Sequence, residues 1–358
     1  MNTTIVLTER QSRNINLLKG LSIVLVIFIH ADLRSMISKY MKLTPVIDAY
    51  FETLTRILVD NAVLMFYFIS GFLFFFRKNT YKSKFISRFK TLVIPFIFWC
   101  FIGFLIPFII QRILGLEHLY SGNKLKLLKD FAVTDYLRIF WDIRDGAPIL
   151  STLWFLRDLI VFVALTPLIG WLTKKLRCGF PVILFLVYFF FPWSIPGFAT
   201  NGFCWFALGA YLSLRRVNCW ESIEKINTAL TITLWGILTV LAIFTYVSDF
   251  YHDDYMRVYR IVHFIMIYHL IFRLSEKHEL KLLFKIAAVS FFIYVFHEPW
   301  MGYIAQVGMK ILHPQGGWIF IAPLFLVLFT IGFSYTACGF CKKTAPRFLN
   351  IITGSRSK

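Results

Sequence analysis

A chain of 358 residues that is 58% hydrophobic and only 16% charged is too apolar for a soluble domain of its size, and it reads as a polytopic membrane protein. A net charge of +19 would suit a nucleic-acid partner, but the basic residues are divided among short loops between apolar runs, not gathered on one soluble face. The expected surroundings are membrane lipids, with no nucleic acid.

The first apolar run, residues 13–34, carries one histidine, His30, deep inside it. An ionisable group at that depth is costly, so it marks either a functional site or a tie to a neighbouring helix. Arg10, Arg13 and Lys19 enter the run, which is too long for a signal-peptide core and lacks a small-residue cleavage site. It is expected to remain as the first helix. Further apolar segments fall near 57–76, 92–112, 152–173, 180–193, 197–214, 228–248, 256–274, 286–309 and 317–340, with the first near 17–36. The fifth is short and ends at Pro192-Trp-Ser-Ile-Pro-Gly197, so the fifth and sixth suit a full hairpin or a shallow re-entrant pair. The predicted fold class is all-α: a polytopic membrane bundle of about ten transmembrane helices, one domain over residues 1–358.

Loop charge gives the orientation. Arg77, Lys78, Lys82, Lys84, Arg88 and Lys90 fill the second loop, Lys174, Lys175 and Arg177 the fourth, and Lys342, Lys343 and Arg347 follow the last segment. The alternate loops are neutral, mixed or acidic, as at Asp249, Asp253 and Asp254. Both termini are therefore expected in the cytoplasm. Residues 113–151 become an extracytoplasmic loop, in which Lys124–Phe131 and Tyr136–Ile143 have the spacing of short amphipathic helices. None of the six cysteines falls in a loop placed outside, and the lone Cys338-Gly-Phe-Cys341 reads as two small residues at a helix end. No His, Cys or carboxylate cluster has metal-ligand spacing, and no Walker loop, HExxH or GxSxG stands in usable context.

Helix rise, at ~1.5 Å per residue, places His30 and the pair His297-Glu298 each roughly 20 Å above the inner ends of their segments. Arg157-Asp158 and His263 lie about 10 Å below the outer ends of theirs. In a core about 30 Å thick these groups share one level in the outer half, as the lining of one polar chamber would. On the inner side, Arg88-Phe-Lys-Thr91 precedes Pro95 where the third segment begins. Basic residues at such a mouth either bind phosphates or simply anchor the segment.

Six blocks of the chain together resemble the acyltransferase type 3 family of integral-membrane enzymes that modify bacterial surface sugars. They are Arg13-Asn-Ile-Asn-Leu-Leu-Lys-Gly-Leu with His30, Phe66-Tyr-Phe-Ile-Ser-Gly-Phe72, Arg88 to Phe96, Leu153-Trp-Phe-Leu-Arg-Asp-Leu159, Phe206-Ala-Leu-Gly-Ala-Tyr211, and Ser290 to His297. The family often has two arginines three apart before the proline; here Thr91 takes the second place, with Lys90 beside it. The resemblance implies a multi-pass protein of the bacterial cytoplasmic (inner) membrane. It would move an acyl group, acetyl by expectation, from cytoplasmic acyl-CoA to a hydroxyl of a surface or exported glycan or lipid-linked sugar, without a metal. His30 would be the base, Asp158 or Glu298 its partner, and Arg157 a stabiliser of charge on the thioester oxygen, with His297 in the same constellation and Arg88 and Lys90 holding the CoA phosphates. Ser70 is either a hydrogen-bonding residue or, with Gly71, a close-packing pair. A transporter or flippase of glycans or lipid-linked sugars is the competing class, since midplane polar groups suit it too.

Overall fold

The computed structural model describes residues 7–76, 79–113, 115, 127–144, 146–250, 253–312 and 316–354. These residues form α1 (Glu9–Ile29), α2 (Arg34–Ile37), α3 (Pro45–Thr55), α4 (Ala62–Phe76), α5 (Tyr81–Arg88), α6 (Ile94–Phe108), α7 (Val133–Arg138), α8 (Trp154–Ala164) and α9 (Thr166–Leu176). There follow α10 (Gly179–Phe190), α11 (Thr200–Leu214), α12 (Cys219–Glu224), α13 (Thr228–Val247), α14 (Asp253–Lys277), α15 (Lys281–Ala288), α16 (Ser290–Leu312), α17 (Trp318–Thr344) and α18 (Pro346–Ile352). A two-residue antiparallel pair, β1 (Ser194–Ile195) and β2 (Phe198–Ala199), closes the turn between α10 and α11.

All ten predicted segments fall on helices, but among the described residues six runs are long and apolar enough to cross a membrane by themselves: Glu9–Ile37, Pro45–Phe76, Tyr81–Ile113, Thr228–Val247, Tyr255–Lys277 and Trp318–Thr344. A seventh forms if α8, with the turn before it, and α9 are taken as one span bent by 54°. The helices at the fifth and sixth predicted segments, α10 and α11, have only 12 and 15 residues. α16 has 23 residues, and His297, Glu298 and Lys310 make it polar for its length. The chain is thus an all-α, multi-pass membrane protein. Of the two predicted loop helices, Tyr136–Ile143 overlaps α7, which lies one turn earlier; Lys124–Phe131 falls partly outside the described residues, and its described part holds a 3₁₀ turn at Leu128–Asp130.

Two local features place the site. The first is the course of α1. It starts earlier than its apolar run because Thr8 and Gln11 form a capping box, each side chain accepting from the other's backbone N–H. It ends at Ile29, so His30 is its C-cap. The chain leaves the helix there because Asp32 accepts from the Arg34 backbone N–H and starts α2. Arg34 then binds Asp32 at 2.6 Å, Asp48 at 2.9 Å and Glu52 at 3.1 Å, tying the end of α1 to α3. The second feature is the crossing of α4 and α11. A Cβ on Gly71 would strike the Phe206 carbonyl, and one on Gly209 would strike the Phe68 carbonyl, so the two backbones touch. Around that crossing Phe68 packs against Trp205, Trp220 and Phe264 at ring separations of 4.9–6.2 Å.

Candidate active site

Two cavities meet inside the bundle. The wider one, about 730 Å³, is a vestibule at the basic end, where Lys19, Lys84 and Arg88 stand beside Asn16, Asn79 and Thr91. The narrower one, about 270 Å³, begins beside Lys19 and Arg88 and runs between α1, α4, α8 and α16 to His30, Thr152 and Tyr294. Lys19, Leu73, Arg88, Ser290 and Phe291 line both, so the vestibule continues into the tunnel. Between its two ends the tunnel wall is almost wholly apolar: Val26, Ile29, Phe66, Ile69, Phe155 and Leu159 are typical.

At the far end His30 presents accessible surface to the tunnel. Its ring centroid is 5.2 Å from that of His297, at an interplanar angle of 52°. His297 is 1% exposed, and its Nδ1 lies 2.7 Å from the Tyr294 carbonyl. A carbonyl oxygen only accepts, so Nδ1 carries the proton and Nε2 a lone pair. That Nε2 is buried with no hydrogen bond from the protein. The neighbouring carboxylate is differently employed. Glu298 accepts from the backbone N–H groups of Ser151 at 2.8 Å and Thr152 at 2.9 Å, and from their hydroxyls at 2.5 and 2.7 Å. It caps the turn that leads into α8, where its negative charge meets free N–H donors. Tyr294 donates to the Thr152 carbonyl at 2.6 Å and closes the same clamp.

The remaining predicted residues separate into two groups. Arg157 and Asp158 are buried and paired at 3.0 Å, but neither lines the tunnel. Arg157 also donates to the Gly146 carbonyl at 2.7 Å and lies over the Trp141 ring, while Asp158 accepts from the backbone of Gly197 and Ala199. The pair thereby fastens the 141–146 loop and the β1–β2 turn to α8. His263 packs between Trp235 and Tyr259, away from His30, so the level shared by helix rise holds for His30, His297 and Glu298 but gathers no single chamber around all the buried groups. At the basic end Arg88 lines both cavities, whereas Lys90 is exposed and lines neither. Positions 88 and 91, three apart, share the face that lines the vestibule, while position 90 lies about 200° round from Arg88 and turns out. The backbone here widens into a π-helical turn at Phe89–Val93, just before Pro95, which has no N–H to return to the turn before it.

Sequence reasoning missed Lys19 and Lys84 as vestibule residues. Lys19 was legible as the helical neighbour, three and four residues back, of Ser22 and Ile23, and hence on an inward stripe; Lys84 was one basic residue among six in its loop.

Residues 12–337 match the acyltransferase domain of the acyltransferase type 3 family, and the chain belongs to that family. It is similar to the succinoglycan biosynthesis protein ExoH of Rhizobium meliloti (strain 1021), at 24% identity over 359 residues covering 97% of this chain and 93% of the relative. No solved structure gives a significant match.

Proposed function

We propose that this acyltransferase takes its acyl group, acetyl in the simplest case, from acyl-CoA on the cytoplasmic side and gives it to a hydroxyl of a surface or exported glycan at the level of His30. The observation that carries the reading is the continuity of a cation-lined vestibule with a narrow apolar tunnel that ends on an accessible histidine. The basic end is taken as cytoplasmic by the positive-inside rule, which leaves the His30 end toward the outside of the bacterial cytoplasmic membrane. The succinoglycan role in the relative's name supports a glycan acceptor, and membership of an acyltransferase family favours acyl transfer over transport of an unaltered sugar.

In this mechanism Lys19, Lys84 and Arg88 hold the CoA phosphates and the thioester lies at His30. The neutral imidazole takes the proton of the acceptor hydroxyl as its oxygen bonds to the acyl carbon. The C–S bond then breaks and the proton passes from His30 to the departing sulfur, so ester and CoA thiol are the products. His30 stands at the C-terminus of α1, whose free carbonyl ends favour the transient imidazolium. Its partner is His297, not a carboxylate. The Nε2 lone pair of His297 is available to the one N–H of neutral His30, whose other nitrogen faces the acceptor, and at their centroid separation of 5.2 Å two ring nitrogens come within hydrogen-bond reach when the rings turn edge to edge. Glu298 fixes the chamber wall, and Arg157 and Asp158 fix the loop above it.

The deciding test uses the protein in sealed proteoliposomes with radiolabelled acetyl-CoA and glycan from a strain lacking the gene. Label should pass to the glycan as a base-labile ester. Glycan that is moved but never labelled would instead establish the transport class.

A further inference from the structure

Ser70 stands in the tunnel wall next to the tightest helix contact in the bundle. Its neighbour Gly71 meets the Phe206 backbone, and Ser70, about 100° further round the helix, turns toward the tunnel together with Phe66, Ile69 and Leu73. A serine inside a helix usually returns its hydroxyl to the carbonyl four residues back, as Ser22 does to Leu18 and Thr55 does to Phe51. Ser70 makes no such bond to Phe66, nor a side-chain bond to any other described residue, although its wall is apolar. A hydroxyl held in an apolar wall without a protein partner is placed for a polar group of whatever fills the tunnel.

Its distance from His30 says which group. Asn16 in the first half of α1 and Leu73 late in α4 line the vestibule, while His30 past the end of α1 and Val63 at the start of α4 line the tunnel beyond it, so the two helices run antiparallel. The contact of Ser22 Oγ with Met65 Sδ at 3.8 Å sets them level at those residues. His30 lies eight residues to one side of that level and Ser70 five to the other, a separation of roughly 20 Å at ~1.5 Å per residue. The imidazole reaches back along α1 and takes up about 5 Å of it. What remains is roughly 15 Å; less a contact of about 3 Å at each end, it leaves the ~10 Å that the nine or so bonds from the sulfur to the pantoyl carbinol of a phosphopantetheine arm span at ~3.5 Å per three bonds, with the phosphorus some four bonds further on.

On the reading that the donor is acyl-CoA, we infer that the tunnel measures the pantetheine arm and that the Ser70 hydroxyl holds its pantoyl end, so that the thioester stops at His30. Ser70 is a positioning residue: it binds the arm far from the reacting atoms. The arm's amides cross the apolar middle of the tunnel, and its pantoyl hydroxyl and nearest amide reach Ser70 just before the phosphates meet Arg88 and Lys19.

The test compares two donors on the intact protein in nanodiscs, each varied in excess over enzyme, with long reaction times so that a slow donor is still scored. Acetyl-CoA carries the whole arm. The thioester of N-acetylcysteamine keeps the reacting end but stops about 6 Å from the sulfur, well short of Ser70. Ser70→Ala should raise KM for acetyl-CoA about three- to tenfold, the scale of one neutral hydrogen bond, with kcat nearly unchanged. It should leave transfer from the truncated donor untouched, and Ser70→Thr should restore the acetyl-CoA value. Equal losses with both donors would mean that Ser70 acts on packing or at the thioester, and no loss with either would mean that it touches no donor; each overturns the inference. Wild-type protein that uses neither thioester would instead overturn the acyl-CoA reading on which it rests.

Discussion

At the vestibule three cations, Lys19 on α1 and Lys84 and Arg88 on α5, reach into about 730 Å³ of space, and two of those side chains are long lysines. At the other end of the tunnel the polar groups are fixed from several directions: Glu298 by four donors, His297 by the Tyr294 carbonyl, Tyr294 by Thr152. The contrast separates two tasks. A polyphosphate is held well by a field of mobile charges, because Coulomb attraction tolerates an ångström of play. A proton transfer is not, because a catalytic imidazole must meet its hydroxyl within hydrogen-bond distance. Substitutions at the His30 end should therefore act on kcat, and those at the vestibule on KM for the donor.

The sharpest way to break that division is at His30. Glutamine keeps much of the size and hydrogen bonding of histidine but is no base near neutral pH. His30→Gln should insert normally, still bind acyl-CoA, and lose kcat by ~10²-fold or more. A folded variant transferring at near wild-type rate would remove His30 from the mechanism and leave it a helix tie.

His297 should come next. His297→Phe removes the Nε2 lone pair that the proposed mechanism offers to His30 as the rings turn edge to edge, and kcat should then fall by roughly 10- to 100-fold, the scale for residues that orient a functional histidine. KM for acetyl-CoA should hardly move. Glu298→Gln is the contrasting variant: it weakens the clamp on Ser151 and Thr152, so its loss should be accompanied by a lower unfolding temperature in detergent, which the His297 variant should show less.

How much of this was legible follows from the range of each interaction. The blocks Phe66–Phe72 and Phe206–Tyr211 stood out as sequence, and they prove to be the two sides of one helix crossing, with Gly71 on one and Gly209 on the other. His30 and His297 were found because buried ionisable groups are rare in apolar runs, and helix rise put them at one level. The same rule overreached for Arg157, Asp158 and His263: depth along a helix says nothing about which side of it a residue faces, and these three turn away from the tunnel. Lys90 was taken for a donor contact because it is charged and adjacent to Arg88. Two residues on, it stands about 200° round the helix from Arg88, so the ideal spacing already turned it from the face that Arg88 shares with Thr91. Asp32, two residues past His30, lies beyond what helical spacing tells: the chain breaks at His30, and Asp32 belongs to the Arg34 knot.

At the vestibule Arg88→Ala should raise KM for acetyl-CoA about tenfold, the loss of one charge-assisted contact, with kcat little altered. Added salt should weaken donor binding in the wild type and less so in the variant, since screening removes what the mutation has already removed. A fall in kcat with constant KM would undo the comparison between the two ends.

The smallest effects are expected from the two lysines of the second loop, and they discriminate most finely between a charge that faces the vestibule and one that only sits near it in sequence. Lys84 lines the vestibule on α5 and lies 5.1 Å from the Phe74 ring centroid, which holds its ammonium toward that wall. Lys90 follows Arg88 by two residues and points outward. If phosphates are bound inside the vestibule, Lys84→Ala should raise KM for acetyl-CoA about two- to fourfold, as befits a flexible point charge against a mobile phosphate. Lys90→Ala should leave it unchanged within error. Its charge belongs to the anchoring of the loop at the membrane surface, so its loss is better sought in insertion or orientation than in kinetics. The reverse order, with Lys90 the more sensitive, would place the CoA phosphates on the outer face of the helix and would require a different mouth for the tunnel.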